Sequence, residues 1–165
     1  QLQPVDLPAL LLDVLALYDN LRPHVVLNLP SAPVVVQGEP TRLRQVLHNL
    51  LQNALDAQAD RADPSYAISI EIAEGEARLS VADRGPGFPA DVIAHAFVVE
   101  DNGPGFQKEL VDRIFDPYVT SKPKGTGLGL AIVRKIVEEH AGRVLIANLE
   151  PGGARVTVAL PVATP

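Results

Sequence analysis

The sequence predicts an α+β domain, a two-layer α/β sandwich in which helices cover one face of a mixed, mostly antiparallel sheet. Three segments carry apolar residues at helical spacing, and several short segments alternate apolar and polar residues. Most of these strands are joined as hairpins, which favours antiparallel pairing. With 165 residues, of which 47% are hydrophobic, the chain can bury one core. We therefore expect a single domain over residues 1–165.

Composition excludes several classes of protein. Fourteen basic and twenty acidic residues give a net charge of −6, which disfavours a nucleic-acid binder. The chain has no cysteine, so disulfides, thiolate metal sites and cysteine nucleophiles are excluded. It has no apolar run long enough to span a bilayer and no signal peptide. We expect a cytoplasmic fragment of a longer protein, and leave open whether that parent is anchored in a membrane.

The first third of the chain predicts one short helix and two short strands. Asp6 is placed to cap the helix, Pro8 lies in its first turn, and apolar residues follow at helical spacing up to Pro23. Residues 24–29 and 34–36 are β-rich and bounded by prolines, which is typical of strands near a sheet edge.

The remaining elements are two longer helices and two hairpins. We predict a helix over 40–59, a hairpin over 66–83 with its turn at 74–76, a helix over 127–141 closed by Gly142, and a hairpin of 143–148 with 154–160. The stretch between 84 and 126 is rich in glycine and proline, although residues 96–100 have strand character.

Three short motifs carry candidate chemistry. Asn49 and Asn53 lie four apart and hence side by side on a helix, and amide oxygens suit Mg²⁺. Asp83 begins Asp-Arg-Gly-Pro-Gly directly after a strand, where a carboxylate can accept a hydrogen bond from an exocyclic amine. A lysine- and glycine-rich stretch over 122–130 enters a helix N-terminus, which favours phosphate. Taken singly, these are equally typical of a helix surface, a tight turn and a flexible loop.

In this order the motifs resemble the catalytic ATP-binding domain of sensor histidine kinases. That domain has the Bergerat fold of the wider superfamily shared with gyrase, Hsp90 and MutL. Residues 43–54 resemble the N box, Asp83-x-Gly85-x-Gly87 the G1 box, 115–122 the F box and 125–130 the G2 box. The F box, Phe115-Asp-Pro-Tyr-Val-Thr-Ser-Lys, is most similar to that of nitrogen-regulation sensor kinases.

The resemblance implies a role for each motif residue. Asn53 would ligate Mg²⁺, Asn49 would assist at the phosphates, and Asp83 with Gly85 and Gly87 would hold the adenine. The residues implied around the nucleotide from the second half of the chain are Phe115, Lys122, Thr126, Gly127, Leu128, Gly129, Leu130 and, on the last hairpin, Thr157. Asn49, Asn53 and Lys122 would form the catalytic set.

The function implied is transfer of the γ-phosphoryl group of ATP·Mg²⁺ to a histidine on a separate dimerisation domain. A response regulator would be a partner of the protein through that domain. Related ATPases and serine kinases carry a glutamate base at position 49, so Asn49 disfavours those activities. His24, His48, His95 and His140 lack the sequence context of a phosphoacceptor. We expect the isolated domain to bind nucleotide and to require the absent domain for kinase activity.

An internal repeat departs from the family pattern. Residues 81–97 and 99–115 align at an offset of 18, so the G1 box recurs as Asp101, Gly103 and Gly105. Three arrangements are open: Asp83 binds adenine and 98–115 lengthens the lid, Asp101 binds adenine and 81–98 loops out, or two chains exchange strands and form a dimer. The spacing from Asn53 favours Asp83. The repeat is a natural duplication or an engineered chimera, and in either case the alternative function is a catalytically impaired nucleotide-binding module.

Overall fold

The computed structural model describes residues 1–86, 128–149 and 152–163. The elements in these ranges are β1 (Gln3–Asp6), α1 (Leu7–Leu15), a 3₁₀ turn (Arg22–His24), β2 (Val25–Asn28), β3 (Val35–Gly38), α2 (Pro40–Ala57), β4 (Tyr66–Ala73), β5 (Glu76–Asp83), α3 (Leu128–Glu139), β6 (Arg143–Asn148) and β7 (Ala154–Pro161). None of the helices in them is long and apolar enough to cross a bilayer.

Five strands form one mixed sheet in the order β2-β4-β5-β7-β6. β2 runs parallel to β4, and the other three pairs are antiparallel. β1 and β3 form a separate two-stranded antiparallel sheet. This topology confirms the predicted class, a mostly antiparallel sheet with one parallel pair.

The core lies between the sheet and the helices. In β5 every second residue is buried, from Ala77 to Asp83, as expected when one face of a pleated strand is covered. The buried side chains of α2 and α3 come from their apolar stripes. Leu43 and Leu47 of α2 meet Leu79 of β5 around a small apolar void, so α2 lies directly on this face of the sheet.

The N-terminal region differs most from the prediction. Helix α1 ends at Leu15 instead of continuing towards Pro23, because residues 17–24 fold into consecutive turns. Strand β1 was not predicted, since its single buried apolar residue, Val5, produces no alternating pattern. Asp6 is the N-cap residue of α1, but its Oδ1 accepts a hydrogen bond from the backbone N–H of Val34 at 3.2 Å and makes none to the helix.

The end of α3 also differs in detail. Ala141, rather than Gly142, takes the left-handed conformation, with φ of 62°. The N–H of Gly142 donates to the carbonyl of Val137 at 2.9 Å and so closes the last turn. Gly142 is required for a different reason: a Cβ there would lie 2.4 Å from the carbonyl oxygen of Ala159.

Candidate functional site

The two asparagines lie on the outer border of the buried face of α2. Leu50, Leu51 and Ala54 are buried and fix the rotation of the helix, which leaves Asn49 and Asn53 half-buried. Nδ2 of Asn49 is buried and has no hydrogen-bond acceptor in the part of the chain that the structure describes. An unsatisfied buried donor is costly, so this amide is suited to an acceptor supplied by a ligand, such as a phosphate oxygen.

Asp83 is the last residue of β5, and only 6% of it is exposed. Its Oδ1 accepts a hydrogen bond from the backbone N–H of Gly85 at 2.8 Å, which shapes the turn that follows the strand. Carboxylate oxygens together offer about four lone-pair sites, so an aspartate can shape a turn and also accept a hydrogen bond from a ligand.

Tyr66 is a neighbour of Asp83 that the sequence motifs did not single out. The register of the β4–β5 hairpin pairs Ala67 with Ala82, which brings Tyr66 beside Asp83 on the buried face. Burial raises the pKa of the Tyr66 phenol, and the nearby negative charge of Asp83 raises it further. The two-residue turn at Glu74 and Gly75 was the signal that could have identified this neighbour, because it sets the register.

Two glycines hold the turn after β5 between neighbouring segments. A Cβ on Gly85 would lie 2.5 Å from the carbonyl oxygen of Ala57, so the turn packs against the C-terminal end of α2. A Cβ on Gly153, which has φ of +121°, would lie 2.1 Å from the carbonyl oxygen of Asp83. Glycine is therefore required at both positions by contacts within the protein, before any ligand is considered.

The structure does not bring Thr157 to Asp83. The Oγ1 of Thr157 lies 2.7 Å from the Oγ of Ser80, its partner across β5 and β7. Side chains alternate along a strand, so Ser80 and Thr157 share the sheet face opposite to that of Asp83. The residue paired with Asp83 on β7 is Ala154.

The remaining predicted site residues divide into two groups. Leu128, Gly129 and Leu130 form the first turn of α3, whose N-terminus carries partial positive charge from the helix dipole, and Leu130 is half-buried. The others, Gly87, Asp101, Gly103, Gly105, Phe115, Lys122, Thr126 and Gly127, lie outside the described residues.

Two of the three histidines in the described residues make specific contacts within the protein. Nδ1 of His48 lies 2.8 Å from the hydroxyl of Tyr18. In His140, Nε2 accepts from the N–H of Glu39 at 3.1 Å, so Nδ1 carries the proton and donates to the carbonyl of Ile136 at 2.7 Å. His24 is exposed in the 3₁₀ turn, and His95 lies outside the described residues.

The sequence profile of histidine kinase-, DNA gyrase B- and HSP90-like ATPases matches residues 38–98 and 94–164. The chain belongs to this family. It is 40% identical over 129 residues to the sensor histidine kinase ZraS of Escherichia coli O157:H7, covering 77% of this chain and 23% of ZraS. It is 39% identical over 137 residues to the C4-dicarboxylate transport sensor protein DctB of Pseudomonas aeruginosa, covering 81% of this chain and 19% of DctB. The chain thus spans less than a quarter of these relatives.

Solved structures of histidine kinases have the same fold. The nucleotide-free catalytic domain of ThkA superposes with a TM-score of 0.75 at 29% identity, covering 98% of this chain and 96% of that domain. Full-length ShkA in complex with AMPPNP gives 0.72 at 28% identity, covering all of this chain and 32% of ShkA. ThkA in complex with the response regulator TrrA gives 0.70 at 26% identity, covering 98% of this chain and 42% of that one. These similarities confirm the family resemblance predicted from the motifs.

The close approach of Gly85 to Ala57 leads to a testable prediction. We expect Gly85→Ala to lower the free energy of unfolding by about 1–3 kcal/mol, because the added methyl group must displace either the turn or the end of α2. Gly152→Ala is the matched control, since among the described residues a Cβ there would approach nothing closer than the carbonyl oxygen of Gly85, at the ordinary distance of 3.8 Å. Urea denaturation of both variants measures the difference, and equal stability of the two would show that the turn does not pack on α2.

Proposed function

We propose that this chain is the ATP-binding catalytic domain of a two-component sensor histidine kinase, which transfers the γ-phosphoryl group of ATP to a histidine on a separate dimerisation domain. The observation that carries the proposal is the convergence of two kinds of group at the C-terminal half of α2. Asn53 lies one helical turn, about 6 Å, before Ala57, and the turn that follows Asp83 packs against Ala57. In this proposal the carboxylate of Asp83, which can accept from an amine, and the amides of Asn49 and Asn53 belong to one site.

The charges of this site suit a nucleoside triphosphate. The amides on α2 are neutral, so they can approach phosphate without the repulsion that carboxylates would cause. The helix dipole of α3 adds positive charge where its first turn begins. The AMPPNP bound to ShkA, whose catalytic fold this chain shares, further supports nucleotide binding.

Mg²⁺ is the ion that the proposal implies, and the residues present fit it. The oxygen of the Asn53 amide is a hard, neutral ligand, and Mg²⁺ takes few protein ligands and completes its shell with water and phosphate oxygens. No group of three or more acidic, histidine or cysteine side chains suited to a metal occurs within the described ranges. When bound, the ion would neutralise charge on the phosphates, while the orphan N–H of Asn49 would donate to a phosphate oxygen.

Transfer to histidine fits the residue at position 49. Water or a hydroxyl group must lose a proton to attack phosphorus, whereas a neutral imidazole nitrogen attacks without a base. Asn49 cannot remove a proton, which supports a histidine acceptor over hydrolysis or a serine acceptor. We place that acceptor on the dimerisation domain and propose that the response regulator is reached through it, as the complex of ThkA with TrrA suggests.

We further propose that Asp83, not Asp101, accepts the hydrogen bond from the adenine amine. Asp83 is the last residue of β5, which lies between β4 and β7 in the sheet. It therefore lies at the end of a strand, where the G1 motif is expected. The two profile matches overlap at residues 94–98, where the first copy ends, which supports one domain containing a repeated segment over two domains. The same repeat favours the second candidate function, a nucleotide-binding module that has lost phosphotransfer.

The proposed ion ligand can be tested by substitution on α2. We expect Asn53→Ala to abolish the Mg²⁺-dependent part of ATP binding, because the amide oxygen that would hold the ion is removed. Gln52→Ala is the control, since Gln52 is exposed and its Nε2 donates to its helix neighbour Asp56 at 3.0 Å. Calorimetric titrations with and without Mg²⁺ measure the effect, and an unchanged titration for Asn53→Ala would contradict the assignment.

The two copies of the motif can be distinguished in the same assay. We expect Asp83→Asn to weaken ATP binding by about 10- to 100-fold, because the charge that accepts the adenine amine is lost. Asp101→Asn should leave the affinity within about twofold of the parent protein, within the scatter expected for residues outside a site. A loss confined to Asp101→Asn would assign adenine to the second copy.

Phosphotransfer itself separates the kinase from the binding module. The chain is mixed with the dimerisation and phosphoacceptor helices of ZraS and ATP labelled at the γ-phosphate. We expect an acid-labile label on the acceptor histidine, which disappears when that histidine is replaced. Tight ATP binding without transfer to the helices of ZraS or of DctB would favour the impaired module.

A further inference from the structure

Two polar side chains just beyond α2 make contacts that the proposed function does not use. Gln58 is a buried polar residue at the C-cap of α2, and only 2% of it is exposed. Its Nε2 donates to the carbonyl of Ser65 at 2.8 Å, and its Oε1 accepts from the N–H of Ser65 at 3.0 Å. Three residues further on, Nη1 of Arg61 donates to the carbonyl of Arg84 at 3.0 Å.

These contacts reach both strands of the hairpin that carries Asp83. Ser65 directly precedes Tyr66, which lies beside Asp83, and Arg84 directly follows Asp83. The N–H of Arg61 also donates to the carbonyl of Gln58 at 3.0 Å, so both side chains extend from one turn of backbone. We call Gln58 and Arg61 the hairpin clamp, because together they attach the hairpin to the end of α2 on either side of Asp83.

We propose that the hairpin clamp sets nucleobase discrimination by positioning the carboxylate of Asp83 relative to the amides of α2. The inference rests on the proposed function, in which Asp83 accepts from the adenine amine while Asn49 and Asn53 act at the phosphates. Because the base and the triphosphate belong to one molecule, the length of that molecule limits the separation of the two subsites. A hydrogen bond weakens steeply with misalignment, so a small shift of Asp83 would lose the amine while the phosphates stay bound.

The chemistry of the clamp matches a positioning role. A buried amide lowers stability unless both its donor and its acceptor are used, and Gln58 uses both on a single residue. Two bonds to one residue fix direction as well as distance. Arg61 is exposed, so its bond to the Arg84 carbonyl contributes little to folding and can be removed without unfolding the chain.

The test compares ATP with inosine triphosphate, in which a carbonyl replaces the exocyclic amine. Dissociation constants for both nucleotides are measured for the parent chain, Arg61→Ala, Gln58→Ala and the control Gln52→Ala. We expect the parent to prefer ATP and each clamp variant to show a preference about fivefold smaller, because a misaligned hydrogen bond from the amine to the Asp83 carboxylate keeps only part of its strength. Their affinity for inosine triphosphate should be unchanged, which a merely destabilising substitution would not produce.

The outcomes separate the inference from the proposed function. If the parent chain binds the two nucleotides equally, the assignment of adenine to Asp83 fails and the inference fails with it. If the parent prefers ATP and Arg61→Ala keeps the full preference, the inference alone is overturned. Affinity for both nucleotides falling in parallel in Arg61→Ala also overturns it. Arg61→Ala decides the matter if Gln58→Ala does not fold.

Discussion

The contact between the turn after β5 and the C-terminal end of α2 is the constraint on which the site depends. No side chain fits at Gly85, because the carbonyl of Ala57 occupies the space that a Cβ would need. Gly153 also packs against the start of this turn, because a Cβ there would meet the carbonyl oxygen of Asp83. The turn is therefore fixed by backbone contacts from two directions. These contacts fix the main chain of the turn beside α2, while the hairpin clamp acts on the orientation of the Asp83 carboxylate within that frame.

The elements that could be predicted from sequence are those whose strand register or helical face is set by residues close together in the chain. In the β4–β5 hairpin, Glu74 and Gly75 both take positive φ, and this two-residue turn dictates every pair from Ala73–Glu76 onwards. Helix α2 was predictable because its apolar stripe repeats over five turns, which also places Asn49 and Asn53 side by side. In both cases the signal lies within about 20 residues of sequence.

The features that escaped prediction depend on contacts between distant segments. β1 exists because β3 pairs with it, and a strand with one buried apolar residue has no pattern of its own. Whether Thr157 shares a face with Asp83 is decided by the register of β5 against β7, which a motif cannot report. The family resemblance implies that Gly85 helps to hold the adenine, and the structure adds a separate reason for glycine there, because a Cβ would lie 2.5 Å from the carbonyl oxygen of Ala57.

The repeated segment has to be accommodated by the same five-stranded sheet. β5 pairs with β4 along one edge and with β7 along the other, so a second copy has no vacant position beside it among the five strands. If the 18 extra residues act only as a longer connection between β5 and α3, the free-energy cost of closing that connection rises by about 0.5 kcal/mol, since the cost grows with the logarithm of length. In that arrangement the repeat would lower the stability of the fold only slightly. The second copy lies in sequence between Asp83 and the first turn of α3, the two ends of the proposed nucleotide site, so the repeat should affect nucleotide binding or phosphotransfer more than folding.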